Sequence, residues 1–190
     1  MKKLTLADRV ASYSQRFPEC PNAMWVAGDK QQWLYGVWQL GQYWKNASRY
    51  YGAYPHSFLE RVAALFPEIP AHEVLHVFSG SMSAGEYTRP ELVGSVYDIK
   101  KLTARRFSLV IADPPYSAED AKHYGTAGID RGKATRALAD VVVRGGQLVW
   151  LDTTWPMYRK DLWHYYGAIE LRRSTNQRLR GVSIFQRKAA

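Results

Sequence analysis

The spacing of apolar residues predicts alternating strands and helices along most of the chain. Near the amino end, aromatic-rich runs at 24–27 and 33–40 flank Gly28-Asp29-Lys30, which has the composition of a tight turn. We therefore predict a β-hairpin here. In its second strand, Trp33 and Tyr35 alternate with residues of the opposite face, and we expect one of the two faces to be functional.

A helix is predicted at 57–66, because its apolar residues recur three and four positions apart. Ser57 and Glu60 have the spacing of a capping box at the start of this helix. Pro67 is expected to end it.

Short apolar runs then predict three strands. The run at 74–78 leads into a glycine loop, and the run at 107–112 stops at Asp113-Pro114-Pro115-Tyr116. A weaker run at 93–99 predicts a third strand between them. The first and second of these strands are expected to be buried.

The carboxyl-terminal half continues the same order. A helix predicted at 134–143, closed by Gly145 and Gly146, precedes a buried strand at 147–151. The runs at 168–171 and 182–185 predict a closing antiparallel pair.

This order of elements predicts an α/β domain of three layers. We expect one domain over residues 1–190. Its first part, 1–50, would be an amino-terminal hairpin extension, and 51–190 would form the core.

Charge favours an anionic partner. The 190 residues contain 26 Lys and Arg against 17 Asp and Glu, a formal net charge of +9, and nucleic acid is the first partner to consider. The single cysteine, Cys20, cannot close a disulfide within the chain, which favours a reducing compartment. We expect no secretory signal, because the residues after Lys2 and Lys3 contain no apolar h-region or small-residue cleavage site. We expect no membrane span, because the longest uncharged run, 31–44, is short and interrupted by glutamines.

The motif at 113–116 is the most informative part of the sequence. It follows a predicted buried strand, so it would lie over the crevice at the carboxyl ends of the strands, where α/β sheets bind ligands. A second interpretation is that Pro-Pro is only a rigid exit from the strand, with Asp113 capping the next turn.

Asp113-Pro114-Pro115-Tyr116 matches the signature (Asp, Asn or Ser)-Pro-Pro-(Tyr, Phe or Trp), and over residues 50–187 the sequence resembles the S-adenosylmethionine-dependent amino-methyltransferases. These enzymes methylate exocyclic amino groups of adenine, cytosine or guanine. More narrowly, the sequence resembles the small stand-alone DNA methyltransferase-like proteins of phages and mobile elements.

The resemblance implies a Rossmann-like class I methyltransferase fold, with a mostly parallel sheet and a carboxyl-terminal antiparallel pair. It also implies S-adenosyl-L-methionine as the cofactor. A cytoplasmic location, in a bacterium or a phage-infected host, is expected.

The same resemblance assigns roles to the motif residues. The Asp113 carboxylate and the Pro114 carbonyl would accept hydrogen bonds from the two N–H groups of the substrate amine, which moves its nitrogen towards tetrahedral geometry. The amine could then attack the sulfonium methyl in line. Pro115 would stiffen the turn, and Tyr116 would stack on a base swung out of its helix.

Other residues are candidates for cofactor binding through the resemblance. The loop Phe78-Ser79-Gly80-Ser81 resembles the family's Phe-x-Gly-x-Gly loop, although the second glycine is missing. Glu91 would grip the ribose, Asp98 would lie near the adenine, and Tyr54 with Pro55 would form an extra cofactor-binding segment. Asp113 would also border the cofactor. Glu91 and Asp98 could equally be ordinary surface acids.

A competing motif is His72-Glu73-Val74-Leu75-His76, which matches the zinc protease signature H-E-x-x-H. That chemistry needs a helix, whereas the apolar run at 74–78 predicts a strand. On a strand the two histidines would stand about 13 Å apart. We therefore predict no metal site.

Substrate contacts are predicted beside the motif, in the aromatic hairpin and in the carboxyl-terminal zone. Ser117 and His123 follow Tyr116 closely, and the carboxyl-terminal zone is rich in arginines and aromatics, a combination that suits phosphate neutralisation and base stacking. The candidates are Tyr116, Ser117, His123, Trp33, Tyr35, Arg178 and Arg180. A solvated charged face is the alternative interpretation of the arginines.

The sequence thus predicts methyl transfer to an exocyclic amino group, with N6 of adenine in DNA as the first hypothesis. Three alternatives stay open. These are an RNA base, a protein amide, and a non-catalytic nucleic-acid-binding module with a decayed methyltransferase fold.

Overall fold

The computed structural model describes residues 4–41, 54–80, 82, 94–173 and 179–189. Within these ranges the helices are α1 (Leu6–Arg16), α2 (Phe58–Leu65), α3 (Ile99–Leu102), α4 (Ala118–His123) and α5 (Arg131–Leu138). The strands are β1 (Met24–Ala27), β2 (Trp33–Leu40), β3 (Val74–Val77), β4 (Phe107–Ala112), β5 (Val142–Asp152), β6 (Trp163–Arg173) and β7 (Arg180–Arg187). The longest described helix has 11 residues, and none of the described helices is long and apolar enough to cross a membrane.

The strands of the described residues form one mixed sheet in the order β1-β2-β6-β7-β5-β4-β3. The pairings β2 with β6, β3 with β4 and β4 with β5 are parallel, and the other three are antiparallel. Strands β2 to β6 therefore all point one way, and β1 and β7 point the other way. The expectation of a mostly parallel sheet holds for strand direction, because five of the seven described strands point the same way. It does not hold for pairing, because three of the six strand pairs are antiparallel.

Helices pack on both faces of this sheet, which gives three layers. On one face, α1 and α2 contribute Tyr13 and Phe58 to a core with Trp38 of β2, and the Tyr13 and Trp38 rings stack at 5.8 Å. On the other face, α3 and α5 contribute residues such as Ile99 and Leu138. Because both faces are covered, the apolar end of β5 is buried at every position, as in the continuous apolar strands of α/β proteins.

Several predicted elements agree with the structure. The hairpin strands and β4 have the predicted bounds, the helix predicted at 57–66 is α2, and the closing antiparallel pair is β6 with β7. Gly167 lets β6 approach β2 closely, because a Cβ at this position would overlap the carbonyl oxygen of Leu34.

Other predictions were wrong. The helix predicted at 134–143 is α5, which begins at Arg131 because the Asp130 side chain accepts from the Lys133 N–H and caps the helix there. Gly145 and Gly146 do not end a helix but lie within β5. Near them the pairing of β4 with β5 shifts register, and Gly146 packs against the backbone of Ser108.

The weak strand predicted at 93–99 is also wrong over its described part, 94–99. A 3₁₀ helix, Val96–Asp98, leads directly into α3, and the Ser95 side chain caps it by accepting from the Tyr97 N–H. Residues 91–93 lie outside the described residues.

The capping box predicted at Ser57 and Glu60 is absent. Ser57 has a left-handed backbone (φ 59°) and its side chain caps no N–H group of α2. The left-handed Ser57 lies in a turn in which the Phe58 N–H donates to the Pro55 carbonyl. This turn leads directly into α2.

Candidate active site

The motif turn begins where β4 ends, beside the end of β3. Val77 of β3 lies opposite Ala112 of β4, and the Asp113 N–H donates to the Val77 carbonyl at 3.2 Å. Pro114 is buried, and Pro115 and Tyr116 are half-buried. The parallel pairing therefore places the motif turn next to the loop that follows β3.

Asp113, Tyr116 and Arg180 form a cluster at this edge of the sheet. The Tyr116 hydroxyl donates to Asp113 Oδ1 at 2.5 Å, and the Arg180 guanidinium carbon lies 4.8 Å from the centre of the Tyr116 ring. Arg180 reaches the cluster because β7 runs antiparallel to β5, so the start of β7 lies at the carboxyl ends of the parallel strands. Two strands far apart in sequence thus build one site.

Burial controls the acidity of this cluster. Desolvation raises the pKa of Asp113 to about 7, although the hydrogen bond from Tyr116 and the positive charge of Arg180 oppose the rise. Burial and the Asp113 charge likewise raise the pKa of Tyr116 well above its ordinary value. A carboxyl group with a pKa near neutrality, at the carboxyl edge of a sheet, is typical of a functional site.

The raised pKa of Asp113 predicts a dependence of stability on pH. The unfolded chain loses this proton near pH 3.8, whereas the folded protein holds it to about pH 7. The stabilisation is complete below the first value and is lost as the pH rises through the second, so the free energy of unfolding should fall across this window. Urea denaturation of the wild type and of Asp113→Asn, at several pH values, checks this.

In Asp113→Asn the fall across this window should shrink, because the amide does not titrate. Asp140→Asn replaces an exposed carboxyl group and serves as the matched control. An identical pH profile for the wild type and Asp113→Asn would contradict the raised pKa.

The loop after β3 combines left-handed backbone with a buried polar side chain. Phe78 (φ 57°) and Gly80 (φ 59°) both have left-handed backbones, which for Phe78 is a strained conformation. The Ser79 side chain is buried, and its hydroxyl has no hydrogen-bond partner in the described part of the chain. A buried hydroxyl without a partner is costly, so this loop fits a polar ligand such as the methionine part of S-adenosyl-L-methionine.

Tyr54 and Pro55 lie near the same strand. Pro55 is buried at the start of α2, and the Tyr54 ring packs 5.4 Å from Phe58 and 6.0 Å from His76 of β3. The structure thus brings Tyr54 to β3, the strand that leads into the Phe78–Gly80 loop.

The zinc protease motif does not lie on one α-helix. His72 lies in a 3₁₀ helix (Ala71–Glu73) and His76 in β3, which confirms the predicted strand at this motif. Burial lowers the pKa of His76 to about 4, so this ring is neutral at pH 7.

Other predicted site residues are placed elsewhere. Asp98 is exposed and forms an ion pair with Lys101 at 2.7 Å.

The hairpin aromatics Trp33 and Tyr35 lie far from the motif turn. Tyr35 is level with Ala112 in the register of the sheet but four strands away, a separation of about 19 Å. The structure therefore does not bring Trp33 and Tyr35 to the Asp113 cluster. Tyr35 is hydrogen-bonded to Tyr165 of β6 instead.

Ser117 and His123 lie at the two ends of α4, the helix that follows the motif turn. The Ser117 side chain caps this helix by accepting from the Asp120 N–H at 3.0 Å, and His123 is exposed at its end. Three further candidates, Ser81, Glu91 and Arg178, lie outside the described residues.

Sequence reasoning missed Arg131, which contacts the motif turn, and Asp152, which binds Arg131. Arg131 donates to both Asp152 and the Tyr116 carbonyl. A signal for Asp152 was present, because it follows an apolar run just as Asp113 does. Arg131 stands alone at a helix start, and no local pattern points to its partner.

Comparison with known proteins gives little further information. No protein-family model matches the chain, and no curated protein matches it. Among solved structures, TrmN from Thermus thermophilus aligns with a TM-score of 0.36 and 9% identity, over 50% of this chain. The aligned part covers 27% of TrmN, and a likeness at this level carries no functional argument.

Proposed function

We propose that this protein transfers a methyl group from S-adenosyl-L-methionine to an exocyclic amino group of a nucleobase, with N6 of adenine in DNA as its substrate. One observation carries the proposal most directly. A half-buried carboxyl group with a raised pKa, Asp113, lies at the end of β4 directly beside the Phe78–Gly80 loop at the end of β3. The methyl acceptor and the methyl donor would therefore meet at one edge of the sheet.

The motif residues would activate the amine. An exocyclic amino nitrogen is a poor nucleophile because its lone pair is delocalised into the ring. In its carboxylate form, Asp113 would accept a hydrogen bond from one N–H of the amine. The rigid turn would hold the Pro114 carbonyl so that it accepts a hydrogen bond from the other N–H. Residues Phe78, Ser79 and Gly80 would hold the cofactor, whose sulfonium supplies the methyl group.

Tyr116 constrains how the base can bind. Arg180 lies over one face of the Tyr116 ring, so a base can stack only on the opposite face while Arg180 stays in place. The Tyr116 hydroxyl donates to Asp113, which fixes the ring relative to the acceptor of the amine. A base stacked on Tyr116 would thus lie close to Asp113.

Arg180 supports a nucleic-acid substrate. Its side chain is buried, and its Nε has no hydrogen-bond partner in the described residues. A buried guanidinium that is not fully paired is costly, and a phosphate oxygen of the target nucleotide would satisfy it. The net charge of +9 favours the same class of partner.

Arg180→Met should weaken DNA binding and make it less sensitive to salt. Loss of one phosphate contact is expected to reduce the slope of log K against log salt by about 1. Fluorescence anisotropy with a labelled duplex, at several salt concentrations, measures this slope. Arg144→Met removes an exposed arginine of β5 and is the matched control. Equal slopes for Arg180→Met and the wild type would exclude the phosphate contact.

Transfer of labelled methyl from S-adenosyl-L-methionine to separate DNA and RNA pools tests the proposed function. Label in DNA supports it, whereas label in RNA alone would move the assignment to an RNA base methyltransferase. Calorimetry with the cofactor tests the alternative of a non-catalytic nucleic-acid-binding module. A module of that kind should bind no cofactor.

A further inference from the structure

Arg131 ties the motif turn to two other segments. It is the first residue of α5, and Asp152 is the last residue of β5. The Arg131 Nε donates to Asp152 Oδ2 at 2.7 Å, and one terminal nitrogen donates to Asp152 Oδ1 at 3.1 Å. The same nitrogen donates to the Tyr116 carbonyl at 3.1 Å. One guanidinium thus joins α5, β5 and the motif turn.

Asp152 is a rigid anchor for this arginine. Its side chain is buried, and besides Arg131 it accepts from the Trp150 indole N–H at 3.1 Å and from the backbone N–H groups of Thr153 and Thr154 at 2.7 and 3.2 Å. Rotation of this carboxylate would break several charge-assisted hydrogen bonds at once, which fixes its direction. The Asp152 carboxylate in turn fixes the orientation of the planar Arg131 guanidinium.

The helix that carries Arg131 is itself held in place. The Asp130 side chain caps α5 at 2.9 Å, and the Thr135 hydroxyl donates to the Met157 carbonyl at 2.8 Å. Arg131 therefore reaches the motif turn from a fixed support. A fixed carbonyl at Tyr116 limits the position of the Tyr116 ring, whose hydroxyl donates to Asp113.

We propose that Arg131, anchored by Asp152, is a positioning residue that holds the Tyr116 carbonyl and so aligns the Tyr116 ring with Asp113. This inference rests on the proposed function for its role in methyl transfer. The arrangement itself is a property of the protein without substrate.

Steady-state kinetics of Arg131→Met tests the role in methyl transfer. We expect kcat to fall by about 100-fold, the loss that a displacement of about 1 Å can cause, with KM for the cofactor and for DNA within about twofold of the wild type. Arg131→Lys keeps the charge but cannot form the planar pair, so it should not restore kcat. Arg136→Met removes an exposed arginine of the same helix and should leave kcat unchanged.

A spectroscopic readout tests the positioning without relying on activity. In protein made with ¹³C-labelled tyrosine, the Tyr116 Cζ signal, assigned through Tyr116→Phe, should shift as Asp113 titrates. In Arg131→Met this pH-dependent shift should be lost, because the phenol no longer meets Asp113. Arg136→Met should keep it.

The outcomes separate the two claims. If Arg131→Met and Arg131→Lys keep both the wild-type kcat and the Tyr116 titration, the positioning role is overturned. If the wild type transfers no methyl group, the proposed function fails, and the Tyr116 signal alone decides the positioning role. If Arg131→Met does not fold, kcat and the Tyr116 signal of Arg131→Lys decide the positioning role.

Discussion

Replacing Asp113 by alanine is expected to lower the rate of methyl transfer by about 10³-fold or more while cofactor binding stays nearly intact. The alanine removes the acceptor that draws the substrate amine towards tetrahedral geometry, whereas the Phe78–Gly80 loop remains. Single-turnover transfer and calorimetry with S-adenosyl-L-methionine measure the two effects separately.

The matched variant is Asp113→Asn, which keeps the shape of the side chain and one acceptor oxygen. Because it keeps an acceptor, Asp113→Asn should retain more activity than Asp113→Ala. It should retain less than the wild type, because hydrogen bonds to a charged acceptor are about twice as strong as neutral ones. If Asp113→Ala loses transfer and cofactor binding to the same extent, the assigned role in substrate activation is wrong.

The second large effect concerns Glu68, whose replacement by alanine is expected to destabilise the fold by about 3 kcal/mol. Arg9 of α1 is buried and donates to Glu68 at 2.6 Å, to the Leu65 carbonyl at 2.8 Å and to the Tyr166 hydroxyl at 3.0 Å. Without Glu68, a buried guanidinium loses its counter-charge. Urea denaturation at pH 7 measures the change.

Glu60→Ala provides the control for this prediction. Glu60 is an exposed residue of α2, so its replacement should change the free energy of unfolding by less than about 0.5 kcal/mol. A similar small change in Glu68→Ala would show that water solvates Arg9 and that the ion pair contributes little.

Local patterns in the sequence predicted the strands better than the helices. The hairpin and β4 were predicted with their bounds because alternation, turn residues and Pro-Pro mark both ends of each strand. The helix α1 was missed because few of its residues are strongly apolar. Its start was nonetheless marked by a capping box, in which the Thr5 and Asp8 side chains each accept from the backbone N–H of the other residue.

The candidate site was predictable only where its chemistry is local. Asp113 and Tyr116 were found because four consecutive residues carry the motif after a strand. The contact of Arg180 with Tyr116 depends on the antiparallel direction of β7, and that of Arg131 depends on the position of α5. Such pairings are fixed by the packing of distant segments, so the spacing of residues along the chain does not reveal them.

Mass spectrometry of nucleosides is the most direct test of the proposed methyl transfer. DNA is incubated with the protein and S-adenosyl-L-methionine and then digested to nucleosides. We expect N6-methyladenine in DNA treated with the wild type and none above background with Asp113→Ala. DNA without any methylated nucleoside, from protein that binds the cofactor, would contradict the proposed methyl transfer.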